Sequence, residues 1–161
     1  MTISDYYKAA WDDGVFRTLI FALMLGVMIG LMLCGCDDPA WAGQVDMSII
    51  RKIESNGNPL AISRTGAIGL YQIMPCVLQE YNARNNTKYT RLDLFSPSIN
   101  TAVADWYMGV RIPQLLKHYR QPLTVENILR SYNAGVRSVI KGYTPKETKN
   151  YIKKYKQLAR L

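Results

Sequence analysis

Glu54 closes a segment in which Met47, Ile50 and Glu54 stand at i, i+3 and i+7, so a carboxylate shares one helical stripe with two apolar side chains. The anion is doubly disfavoured there. The last turn of a helix presents partial negative charge, and apolar neighbours exclude water. Both effects raise a carboxyl pKa, which is what a general acid needs if it is to donate a proton near neutrality. The alternative is a solvated glutamate at the end of a short helix, and the local pattern leaves both open.

Were a second carboxylate needed, Asp93, Asp105, Glu126 and Glu147 are available. Each has a structural explanation: loop charge, a solvated helix face, a first-turn partner of the helix dipole, and a capping box with Thr144. His118 has no Cys or His cluster near it, so no metal site is expected, and no cofactor. Cys76 is the only cysteine beyond residue 36, which excludes a disulfide framework in the domain. The stretch Gly66-Ala67-Ile68-Gly69 lacks the Lys-Ser/Thr ending of a phosphate loop, so these glycines read as backbone requirements.

The elements that must position Glu54 read as helices with one turn-rich insert. Asp46 is a plausible N-cap for a helix to about Ser55, with Gly57 and Pro59 stopping it. Residues 59–69 suit a short extended excursion or small hairpin, and a helix resumes from Leu70 with Pro75 in or near its first turns. Tyr81 to Thr90, rich in asparagine, reads as loop or a frayed helix end. Ser96-Pro97 opens the next helix, whose Ile99, Val103, Trp106 and Val110 should face the core until Pro113 kinks or ends it. Thr124 caps a helix with Val125, Ile128, Leu129 and Tyr132 on one face, closed by Gly135. The last helix begins at Thr144 with proline at its first position and buries Tyr151, Tyr155 and Leu158.

The amino-terminal quarter is different. Residues 18–36 are 19 consecutive uncharged, mostly apolar positions, roughly 28 Å as a helix. The chain therefore divides into a leader at 1–17, an anchor or signal segment at 18–36, a linker at 37–45 and a domain at 46–161. The leader's Asp5, Asp12 and Asp13 match a cleaved signal poorly, and an uncleaved anchor is the leading reading. Arg17 before the segment and Asp37-Asp38 after it orient the amino end inwards, leaving the domain on the periplasmic or other extracytoplasmic side. Two alternatives compete: Leu33-Cys34-Gly35-Cys36 resembles a lipoprotein box, which would lipidate Cys36, and Ala40-Trp41-Ala42 has the form of a signal-peptidase site. From Gly43 onward there are eighteen Lys plus Arg against seven Asp plus Glu, a net charge of +11. So basic a surface seeks a polyanion. An exported domain meets carboxylate-bearing wall peptides more often than nucleic acid, and no nucleic-acid partner is expected.

Taken in order, the motifs resemble one family. Glu54-Ser55, then Asn58-Pro59, Ser63 and Gly66-Ala67-x-Gly69-Leu70-Tyr71-Gln72-Ile73-Met74-Pro75, then Ser131-Tyr132-Asn133-Ala134-Gly135, then Glu147-Thr148 with Tyr151, are similar to the four motifs of the soluble lytic transglycosylase catalytic domain. That fold is related to goose-type lysozyme, and the likeness covers about Met47 to Leu161. Tyr71 stands where methionine is common, Ser131 where alanine is common, and Ala102 near a usual glycine.

The resemblance implies a mainly α, lysozyme-like domain with a small turn-rich or hairpin insert, preceded by one hydrophobic membrane or signal helix. It also implies cleavage of the β-1,4 bond between N-acetylmuramic acid and N-acetylglucosamine, leaving a 1,6-anhydro ring. Glu54 would be acid and then base, Tyr132 would hydrogen-bond its carboxyl, and Ser63, Gln72 and Met74 would line the muramic-acid subsite. Ser55, Asn133 and Glu147 would support them. The partners implied are glycan strands of peptidoglycan and the membrane, with secretion, conjugation or phage machinery as settings. Competing readings are a lysozyme-type hydrolase and a noncatalytic, membrane-tethered wall-binding or assembly protein.

Overall fold

Asp46 starts the first helix by accepting from the Ser48 amide at 2.8 Å, while its own amide donates to Tyr155 Oη at 2.7 Å, which ties the start of the domain to its last helix. The computed structural model describes residues 45–160. The leader, the apolar segment with Cys36, the signal-peptidase site and residues 37–44 of the linker lie outside the described residues. Val45, assigned to the linker from sequence, is buried in the core. Among the described residues no helix is long and apolar enough to cross a membrane.

The described residues are mainly helical and contain no strand. The helices are α1 (Met47–Ser55), α2 (Pro75–Asn85), α3 (Pro97–Trp106), α4 (Ile112–His118), α5 (Val125–Ala134), α6 (Val136–Ile140) and α7 (Lys146–Leu158). A 3-10 turn, Leu92–Phe95, precedes α3, and a π turn, Tyr107–Arg111, joins α3 to α4. Ile50, Leu94, Val103, Leu116, Ile128, Leu129 and Tyr155, one or two from nearly every element, are almost fully buried in one core.

The insert between α1 and α2 is a chain of turns, not a hairpin. Only isolated bridges form, Ile62 with Ile68 and Ile68 with Ile73, and the left-handed residues Gly66, Gly69 and Gln72 reverse the chain too often for a ladder to extend. Consequently no helix resumes at Leu70. It begins at Pro75, where the missing amide costs nothing, and runs on to Asn85, so Tyr81 is helical and packs its ring edge-on to Trp106 instead of lying in a loop.

Asn100 holds this insert in place. Fully buried on α3, it accepts from the Tyr71 amide at 2.9 Å and donates to the carbonyls of Ile68 at 2.9 Å and Leu94 at 2.8 Å. A buried amide satisfied on three sides fixes three backbone positions at once. The sequence reading passed over it, because a lone polar residue on an apolar face looks like an interruption.

Two further expectations fail for reasons of register. Val110 is 42% exposed, because the π turn inserts extra residues per turn and rotates the face, so that Met108 and Ile112 turn inward in its place. The same turn accommodates Pro113, and the chain continues as α4 instead of ending. At the carboxyl end Leu158 is 36% exposed, while Ile152 and Thr148 join Tyr151 and Tyr155 in the interior.

The capping box at Thr144 does not form. Pro145 is extended (φ −55°, ψ 153°) and is itself the N-cap, so α7 starts one residue later and Glu147 falls at its second position, out of reach of a reciprocal cap. Thr124 and Gly135 behave as expected. Thr124 accepts from the Asn127 amide at 3.2 Å, and Gly135 (φ 77°) both ends α5 and starts α6.

Candidate active site

The last turn of α1, the turns of the insert, the end of α5 and the first turn of α7 surround a cleft of about 420 Å³. Of the residues singled out from sequence, Glu54, Ser63, Gln72, Met74, Tyr132, Asn133 and Glu147 all line it. Residues from four separate motifs, spread over more than ninety positions, thus converge on one concave surface.

Glu54 is half-buried on the cleft wall, and its carboxyl pKa is raised to about 7, principally by burial. Two influences oppose the rise: a hydrogen bond from Tyr151 Oη to Oε1 at 2.9 Å, and the positive charge of Lys154. Burial and the charge of Glu54 push the Tyr151 phenol above its ordinary range, so at neutral pH it is a donor.

Tyr151, not Tyr132, is therefore the phenol that holds the carboxyl. The Tyr132 hydroxyl donates to the backbone carbonyl of Tyr71. A neutral phenol has one proton to give, and this one clamps the wall that carries Gln72 and Met74. Tyr132 lies near enough to Glu54 for that charge to raise its pKa, after burial, yet it acts on the cleft wall and not on the acid. A sequence signal for Tyr151 existed: it stands at i+4 from Glu147, so one stripe of α7 presents Glu147 to the cleft and Tyr151 to the acid behind it.

Ser55 does not line the cleft. Its hydroxyl donates to the Leu70 carbonyl at 2.8 Å and receives the Gly57 amide at 3.2 Å, which staples the end of α1 to the insert. Gln72 lines the cleft with its amide nitrogen committed to the carbonyls of Gly69 at 3.0 Å and Ala61 at 3.3 Å. Only its oxygen is left for a ligand, so it accepts and does not donate. Asn133 Oδ1 accepts from Thr148 Oγ1 at 2.7 Å, which fixes α5 to the first turn of α7 and leaves the Asn133 nitrogen to the cleft. Met74 is exposed at the rim, and Glu147, freed from any cap, is exposed on the opposite wall.

Ser131, noted from sequence as a departure from the family, does line the cleft. Its hydroxyl is buried and has no protein partner, an unmet donor and acceptor in the cleft wall. Among the described residues no three His, Cys, Asp or Glu side chains are grouped to hold a metal.

The acid–phenol pair can be tested by titration alone. A carboxyl-carbon NMR titration of Glu54 is expected to show a midpoint near 7, moving up by about one unit in Tyr151→Phe, which loses a hydrogen bond of about 1 kcal/mol to the anion. An unmoved midpoint would show that the phenol does not act on the carboxyl.

A half-buried, proton-holding carboxyl in a sugar-sized cleft is the property expected of a glycan-cutting acid. Residues 40–155 match the family model of the transglycosylase SLT domain. This protein belongs to the SLT family of peptidoglycan-cleaving transglycosylases.

Proposed function

We propose that the protein is a lytic transglycosylase that cuts the β-1,4 bond between N-acetylmuramic acid and N-acetylglucosamine, with Glu54 as acid and then as base. The observation that carries this reading is the Glu54 carboxyl set in the wall of the cleft, held by the Tyr151 hydroxyl among residues of all four motifs, where burial raises its pKa to about 7. At neutral pH the protonated form is abundant, and the carboxylate left after donation is still basic enough to take a proton back.

The steps balance without water. Glu54 gives its proton to the glycosidic oxygen as the bond from muramic C1 breaks, and positive charge develops at C1 and the ring oxygen. The muramic C6 hydroxyl then attacks C1, and its proton goes to the Glu54 carboxylate, restoring the acid and closing the 1,6-anhydro ring. One residue serves twice, so no second carboxylate at a fixed spacing is required, unlike the usual glycosidase pair. Tyr151 orients the carboxyl throughout, the Gln72 oxygen and the Asn133 nitrogen are placed for N-acetyl and hydroxyl groups, and Glu147 borders the groove.

The apolar segment 18–36 supports placing this domain outside the cytoplasmic membrane, tethered by that segment, where the wall is its substrate. Mass spectrometry of a digest of purified wall is expected to show anhydromuramic ends. Reducing ends instead would make the protein a hydrolase that uses the same acid with water as acceptor, and an undigested wall would leave a binding protein. Amino-terminal sequencing and mass measurement of the mature protein distinguish a retained anchor from lipidation at Cys36 or cleavage after Ala42.

A further inference from the structure

A second concavity, of about 560 Å³, lies between α5 and α7. Glu126 and Arg130 line it from α5, and Lys149, Ile152, Lys153 and Lys156 from α7. Four cations surround one carboxylate. Glu126 is shared by Lys156 at 2.9 Å and Arg130 at 3.5 Å, Arg130 Nε is buried without a hydrogen-bond partner, and among the described residues neither Lys149 nor Lys153 forms an ion pair. The groove thus keeps a net positive field that the protein does not neutralise.

We propose that this groove binds the peptide branches of the wall substrate: short peptides carrying several carboxylates and one amine. Charge pattern argues for that ligand. A peptide with several carboxylates and an ammonium matches several cations about one carboxylate, whereas a membrane surface or a nucleic acid is anionic throughout, and a membrane is too flat for a concave site. Reach argues for it as well. One flank of α7 carries Glu147 to the cleft and Tyr151 to the Glu54 carboxyl, and the groove lies on the other flank of the same helix. A helix with its side chains is about 10–12 Å across, so half its perimeter is about 16–19 Å, and five extended residues span roughly 17 Å. A five-residue peptide joined to a glycan in the cleft is long enough to pass round α7.

This inference rests on the glycan-cutting reading of the cleft, and its test separates the two. A fluorescent pentapeptide of wall composition is titrated into the full-length protein, and into Lys149→Glu with Lys153→Glu, two exposed positions outside the cleft. The wild type is expected to bind the peptide in a salt-sensitive way, with about tenfold weaker binding in the double variant and an unchanged melting temperature. On peptide-bearing strands the variant's KM should rise, while its kcat and KM on glycan stripped of peptides by an amidase should match the wild type. Equal peptide binding by both proteins overturns the proposal. So does an equal loss on both substrates, or tighter binding of anionic vesicles or duplex DNA at the same residues. Should neither protein cut any glycan, the reading of the cleft fails, and the peptide titration still decides the groove.

Discussion

Glu54→Gln is expected to lower kcat by about 10³- to 10⁴-fold, the upper part of the range for a lost general acid–base, because one side chain carries both proton transfers. The same variant is expected to be more stable than the wild type above neutral pH. With its pKa raised to about 7 in the folded chain against an ordinary value of 4.5, Glu54 binds its proton more tightly when folded. Below pH 4.5 the group is protonated in both states and the folded protein carries no penalty. Between 4.5 and 7 the unfolded chain loses the proton first, so stability declines, and above 7 the full cost of a buried anion remains, on the order of 3 kcal/mol from a shift of this size. Glutamine keeps the acceptor for Tyr151 without the charge. Wall-digestion rates and thermal melts at pH 4 and pH 8 check both halves: activity should vanish at both, and the melting temperature should exceed that of the wild type clearly only at the higher pH. In the wild type kcat/KM should fall as pH rises through about 7, as the acid is lost. A variant retaining a tenth of the activity, or destabilised at pH 8, would remove Glu54 from its role.

Gly69→Ala is expected to be the most damaging single methyl in the domain. Gly69 has φ 80°, and a Cβ there would overlap Asn100 Nδ2 and lie 2.6 Å from the Leu94 carbonyl oxygen. Neither neighbour can retreat, since Asn100 is fully buried and already bonded to three backbone groups. Left-handed strain, overpacking and a broken amide cluster together should destabilise by about 4 kcal/mol or more. Gly57→Ala is the control: its φ of 82° is similar, but no atom lies within 4 Å of the added methyl, so backbone strain alone should cost about 1 kcal/mol. Urea denaturation of the two variants measures the contrast. Equal costs would show that the packing of the insert against Asn100 contributes little.

Glu54 at the end of an apolar stripe pointed to a disfavoured anion without excluding a solvated one, and the order of the four motifs singled it out. The helix starts near Asp46, Pro97 and Thr124 follow from side chains that cap amides locally or from a proline that needs none. Expectations failed where a residue's role is set across the chain. The insert could not be told from a hairpin, because its bends depend on Asn100 thirty positions away. Val110 could not be assigned outward, because no local pattern announces a π turn, and Ser55 and Tyr132 turned out to serve backbone carbonyls of the insert.

The sequence by itself determined which side chains could act: a carboxylate at the end of an apolar stripe, four ordered motifs, and an excess of basic residues. Only the tertiary structure decided which phenol bonds the acid, that Gln72 is left with an acceptor alone, and that the lysines of α7 meet Arg130 in a groove apart from the cleft. The reason is physical. Propensity, capping and periodicity act within a few residues, whereas hydrogen-bond partners and burial are assigned by side chains that arrive from distant parts of the chain and compete for the same few protons and lone pairs.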